Sequence, residues 1–125
     1  MAGPLILVVD DEKDIVEIIC DLLAAEGFRT RAAYDGQQAL EEIARQRPDA
    51  VILDIKMPVL DGLEVIRRIR AEPSTASLPI VVLTATQVIQ ELQDRFRELR
   101  VATWISKPFE PEDLLATVKH ALKRA

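Results

Sequence analysis

Four short apolar runs in this chain each end on a group capable of chemistry. Leu5 to Val9 runs into Asp10-Asp11, Ala50 to Leu53 into Asp54, Ile80 to Leu83 into Thr84, and Ala102 to Ile105 into Ser106-Lys107-Pro108. Runs this short and partly β-branched read as buried strands rather than helices. If they share one sheet edge, three carboxylates, a hydroxyl and an ammonium meet there. Carboxylates so close repel, and at least one has a raised pKa unless a cation intervenes. A hard divalent cation with oxygen ligands, Mg2+ foremost, relieves that repulsion. Asp54 is then free to act as a nucleophile, as carboxylates do in aspartyl-phosphate chemistry. The metal and Lys107 would neutralise phosphoryl oxygens, Thr84 would donate a hydrogen bond to another, and small Ala85 leaves room for the group to enter. Taken alone, Asp54 reads more readily as the start of an ordinary turn. Convergence decides between the two readings.

The elements that must position these groups alternate along the chain. Asp11 can cap a first helix, in which Ile15, Ile18, Ile19, Leu22 and Leu23 recur at helical spacing and Gly27 marks the stop. Phe28 to Ala33 reads as an outer, shorter strand. Asp35-Gly36-Gln37-Gln38 offers a capping box for a second helix, ended by Pro48. After Asp54, Met57-Pro58 turns the backbone, and Asp61-Gly62-Leu63-Glu64 is another capping box, for a helix from about Gly62 to Arg70. A fourth helix runs from Gln87 to Leu99 through Val88, Leu92 and Phe96, and Pro111 opens a last one carried inward by Leu114, Leu115, Val118 and Leu122. Five strands alternating with five helices imply right-handed crossovers and a parallel sheet covered on both faces. The expected fold is therefore α/β, a flavodoxin-like (βα)5 three-layer sandwich of strand order 2-1-3-4-5. That order makes strands 1, 3 and 4 central, and their ends supply Asp10-Asp11, Asp54 and Thr84.

The 125 residues suit one domain over 1–125 with a core of about 5–123, and the 49% hydrophobic and 30% charged composition fits a packed core. A single Cys excludes an internal disulfide and most thiolate metal sites, which favours a reducing compartment such as the cytoplasm. No apolar run spans a bilayer and no secretory signal is evident, so no membrane role is expected. The net charge of −5 argues against direct binding of nucleic acid.

The paired acids near the start, the stretch DIKMPVLDGLEV, and the LTA and SKPF segments together resemble the bacterial two-component response-regulator receiver domain, of the CheY-like kind. The match covers nearly the whole chain in four separated segments. The resemblance implies that Asp54 is the phosphoacceptor, taking its phosphoryl group from a histidine kinase or phosphotransfer protein. It implies Mg2+ held directly by Asp11 and Asp54, by Asp10 largely through water, and by the backbone carbonyl of Lys56. Thr84 would be the switch hydroxyl, with Ala85 beside it, and Lys107 the phosphate-binding lysine before a cis Pro108. Trp104 holds an aromatic position where Tyr, Phe or His is more usual. Output would pass through the face of helix 4, strand 5 and helix 5, to a downstream effector or by self-association. Before strand 5, Leu99-Arg100-Val101-Ala102-Thr103 replaces the family's usual Gly-Ala and small or acidic residues.

Rival functions fit less well. A haloacid-dehalogenase-type hydrolase also uses an Asp nucleophile and Mg2+, but wants D-x-D-x-T where this chain has Asp10-Asp11-Glu12-Lys13. A receiver-like interaction module working without phosphorylation should have lost one of Asp11, Asp54 or Lys107, and all are present. The domain is thus expected to be regulatory rather than an enzyme. Cys20 reads as a buried thiol, His120 as a solvated side chain, and Gln87–Arg100 as either a solvated helix face or a partner surface. The end at Ala125 fits a stand-alone regulator or a receiver cut from a larger protein.

Overall fold

The computed structural model describes residues 3–101 and 103–123. The elements alternate as expected: β1 Leu5–Val9, α1 Lys13–Ala25, β2 Arg29–Ala33, α2 Gly36–Arg45, β3 Ala50–Leu53, α3 Gly62–Ala71, β4 Ile80–Ala85, α4 Thr86–Glu98, β5 Thr103–Lys107 and α5 Pro111–Lys123. All the strand pairs are parallel and the sheet order is β2-β1-β3-β4-β5, so the flavodoxin-like fold holds. No helix among the described residues is long and apolar enough to cross a membrane.

Strand alternation builds the two faces. Leu7, Val9, Val51, Leu53, Ile80 and Val82 point to one side, where α2, α3 and α4 deliver Ile43, Ile66, Ile69 and Phe96. Ile6, Val8, Ala50, Ile52, Val81 and Leu83 point to the other, against Ile19 and Leu23 of α1 and Leu114 and Val118 of α5. A slip of one residue would exchange these sets between layers, so the register is strongly specified. Each fully buried Leu or Ile side chain contributes about 1.5–3 kcal/mol. The same register fixes which polar groups reach the rim.

Several local signals resolve differently in the structure. Asp11 does not cap α1. The N-cap is Glu12 without a side-chain hydrogen bond, because Asp10 takes the turn by accepting from the Glu12 N–H at 3.0 Å. Asp35 and Asp61 do cap α2 and α3, accepting from Gln38 N–H at 2.8 Å and Glu64 N–H at 3.0 Å. The return arms of those boxes go elsewhere: Gln38 accepts from Tyr34 N–H, and Glu64 pairs with Arg67 and Arg68. Phe28 is not in β2, since its N–H is bonded to the Leu23 carbonyl while Gly27 N–H reaches Ala24 and Gly27 takes φ 88°. That is a Schellman closure of α1. β5 extends through Ser106 and Lys107, so the lysine is a strand residue. Its expected first residue, Ala102, lies outside the described residues.

α4 ends by the same device without a glycine. Val101 N–H bonds the Phe96 carbonyl at 2.8 Å and Arg100 N–H the Arg97 carbonyl at 3.0 Å, with Arg100 at φ 59°. The half-buried guanidinium of Arg70 on α3 reinforces this end. It donates to the carbonyls of Leu99, Ala76, Leu78 and Arg100 at 2.7–3.3 Å, tying the end of α4 to the α3–β4 loop. Burial, and then the charge of Arg100, hold the Arg70 pKa below its usual value.

A non-glycine residue in the left-handed region costs about 1–2 kcal/mol. Arg100→Gly removes that cost and the repulsion on Arg70, and loses one exposed hydrogen bond, from Arg100 to the Ala76 carbonyl. Allowing for glycine's greater freedom when unfolded, the variant should be more stable by about 0.5–1 kcal/mol. Urea unfolding with an unchanged m-value is the measurement, and a lower midpoint would contradict the account.

Candidate functional site

The sheet register assembles the rim. Val9 pairs with Leu53 across β1 and β3, which sets Asp10 and Asp54 side by side at the carboxyl ends of central strands. On the other flank, Thr84 pairs with Ser106 and Ala85 with Lys107. Gly62 at the start of α3 donates its N–H to the Ile55 carbonyl at 2.8 Å. A side chain at Gly62 would clash with the carbonyl oxygen of Asp54, so glycine lets α3 approach the backbone of the site.

Asp54 is 5% exposed and Asp10 only 2%. Asp54 Oδ1 accepts from the Ile55 N–H at 2.7 Å, and its Oδ2 accepts from Lys107 Nζ at 3.0 Å. The same ammonium lies 2.7 Å from Asp10 Oδ2 and 3.3 Å from Glu12 Oε1. The Asp10 contact is close but poorly aligned: it is an ion pair, and Asp10 Oδ2 remains a buried oxygen without a hydrogen-bond partner. Burial raises the Asp10 pKa, aided by the charge of Asp54 and opposed by Lys107 and the Glu12 N–H. For Lys107, burial alone would lower the pKa. Its contacts with Asp10 and Asp54 outweigh burial, and the net shift is upward, so it stays cationic.

Carboxylate oxygens of Asp10, Asp11, Glu12 and Asp54 lie within 4.8 Å of one another. Four acids beside one ammonium leave the rim strongly anionic, and Asp10 Oδ2, ion-paired but without an aligned hydrogen bond, is a buried acceptor there. An all-oxygen set without His or Cys suits a hard divalent cation. The acidic pocket could therefore hold a metal.

Thr84 is buried at the end of β4, while Ala85 is exposed beside it. Lys56 lies two residues past Asp54 with its side chain in solvent. Pro108 follows Lys107 through a cis peptide bond. Trp104 is half-buried and packs on Phe96 of α4, ring centroids 5.9 Å apart and tilted by 42°. Cys20 is half-buried, its thiol pKa pushed up by burial. His120 is exposed on α5. Glu12 is the residue that the sequence reading missed. Its only signal was adjacency to the paired acids, and nothing local links residue 12 to residue 107.

The described geometry matches known proteins along nearly its whole length. The family model of the response regulator receiver domain matches residues 6–119. Response regulator MprA of Mycobacterium ulcerans is 43% identical over 121 residues, which cover 95% of this chain and 50% of that protein. The chain thus spans about half the length of the curated relatives it matches. Among solved structures, the receiver domain of NtrX from Brucella abortus superposes with a TM-score of 0.88 at 34% identity, covering 96% of this chain and 99% of that one. Chemotaxis response regulator CheY4 of Vibrio cholerae gives 0.88 at 30% identity, covering 95% and 98%. With a parallel sheet of matching order and an acidic rim closed by a strand lysine, the chain belongs to the response regulator receiver domains of two-component systems.

Proposed function

We propose that the chain works as a phosphorylation-driven receiver, with Asp54 as the phosphoacceptor and a histidine kinase or histidine phosphotransfer protein as the donor. The observation that carries the reading is the Lys107 ammonium, 3.0 Å from Asp54 and 2.7 Å from Asp10 at the rim. A cation wedged between two buried carboxylates is poised to follow an anion onto one of them. Residues 1–125 act as one receiver unit with its core at about 5–123, in the cytoplasm.

An Asp54 carboxylate oxygen attacks phosphorus in line. A new phosphorus–oxygen bond forms as the bond to the donor imidazole breaks, and its electron pair leaves with that nitrogen. Asp54 becomes a mixed anhydride, which water later hydrolyses to carboxylate and phosphate. Lys107 turns from the carboxylate to a phosphoryl oxygen, and Thr84 donates its hydroxyl to another. Ala85 gives the group room. Asp10, Asp11, Asp54 and the Lys56 carbonyl would hold Mg2+, which when bound neutralises phosphoryl charge. The protein changes its own state and turns over no external substrate.

The phosphoryl group adds a dianionic charge and strong acceptors. Thr84 is drawn toward it, space opens beneath the start of α4, and Trp104 repacks. Two features of α4 support this. Its N-cap, Ala85, makes no side-chain hydrogen bond, whereas its far end is anchored by Arg70. The end near Thr84 is the freer one. The equilibrium between two existing states shifts, and the α4–β5–α5 face presents the result to an effector or a second receiver.

Incubation with a small acyl phosphate and Mg2+ should add one phosphoryl group, read by intact mass spectrometry. EDTA or Asp54→Ala should abolish it, and full labelling of Asp54→Ala would refute the assignment.

Lys107→Ala should bind Mg2+ at least as tightly as wild type, because the ammonium no longer competes for Asp10 and Asp54. It should fail to bind the tetrahedral phosphoryl mimic beryllofluoride. Trp104 fluorescence follows both titrations; a variant that binds the mimic normally removes Lys107 from the role.

Hydrogen exchange with Mg2+ and beryllofluoride should alter protection mainly within residues 84–110, strongest in the first half of α4, and leave α2 little changed. A coupling of ~1–3 kcal/mol is typical. Remote changes confined to α1 or α2 would contradict this output route.

A further inference from the structure

Lys107 has a third carboxylate partner that the phosphoacceptor chemistry does not use. Its Nζ lies 3.3 Å from Glu12 Oε1, while the Glu12 side chain is 60% exposed and that of Lys107 is 17% exposed. The backbone of Glu12 is fixed, since its N–H donates to Asp10 Oδ1 at 3.0 Å. An ammonium has three donors. Here Asp10 and Asp54 face it from the buried side and Glu12 from the solvent side.

We infer that Glu12 is a positioning residue, a tether that holds Lys107 in its resting place and competes with the incoming phosphoryl group for it. The inference rests on the receiver reading above. Transfer needs Lys107 to turn a donor to a phosphoryl oxygen as the new phosphorus–oxygen bond to Asp54 forms and the donor's bond breaks. Asp10 and Asp54 are buried and cannot easily replace Lys107 with water. Glu12 is exposed, so its carboxylate returns to solvent at small cost and is the contact to be surrendered. Its negative charge also repels the anionic donor. Both effects slow phosphorylation in the wild-type chain.

The experiment compares wild type with Glu12→Gln, Glu12→Asp and the control Asp14→Asn, which removes an exposed charge from the first turn of α1. Phosphorylation by acetyl phosphate at saturating Mg2+ should be roughly two- to fivefold faster in Glu12→Gln, the range an exposed ion pair supports. Glu12→Asp should fall between, and Asp14→Asn should match wild type. In the metal-free protein, the Lys107 ammonium nitrogen resonance should shift in Glu12→Gln and not in Asp14→Asn. Although Glu12 belongs to the acidic pocket, a tether that does not ligate the ion should change Mg2+ affinity by calorimetry less than about threefold, since its exposed charge acts through screening solvent. A rate at or below wild type, or an unmoved lysine resonance, overturns the tether. A larger loss of Mg2+ affinity overturns it too, and makes Glu12 a metal ligand instead. If wild type takes no phosphoryl group at all, the receiver reading itself fails, whereas the resonance still reports on the tether.

Discussion

One ammonium among carboxylates is the constraint around which the rim is arranged. Asp10 and Asp54 sit at the ends of adjacent central strands and are almost fully buried. Two such charges side by side would be costly without a cation between them. Lys107 supplies it from β5, two strands from β3 in the sheet. Because β5 runs on through Lys107 at the sheet edge, its ammonium reaches both acids across β4.

Around this pairing the fold divides its labour. The even and odd positions of each strand commit to different helical layers, so the sheet is rigid wherever both are apolar. The rim lies one step past the last apolar residue, where alternation stops and polar groups can gather. α3 comes close to Asp54 through Gly62, and β5 leans on α4 through Trp104 and Phe96. A change of charge at the rim therefore meets one tightly fitted neighbour and one that packs through a pair of rings.

Much of this was legible beforehand. The parallel order followed from the alternation rule, and the apolar runs pointed to the rim where Asp10, Asp11, Asp54 and Lys107 meet, because burial writes itself into composition. Helix boundaries were less legible. Asp11 seemed to be the cap of α1, but the turn is made by the side chain of Asp10, a choice between neighbours that residue type cannot distinguish. Phe28 has a strand's side chain but its N–H closes a helix. Glu12 escaped notice since its partner is 95 positions away. The role of Arg70 was hidden for a similar reason: an arginine on a charged helix gives no hint that its donors point to carbonyls in the loop that follows and in a second loop 29 positions away.

That arginine limits how the sequence can drift. A guanidinium holds its donors in a rigid planar fork, whereas lysine offers three on a flexible stem. Four carbonyls spread over Ala76, Leu78, Leu99 and Arg100 match the fork and exceed what lysine can reach. The exchange usually counted as conservative is therefore a disruptive one at position 70. Losing this arginine would strip carbonyls of the α3–β4 and α4–β5 loops of their shared donor, so one substitution would loosen both loops at once.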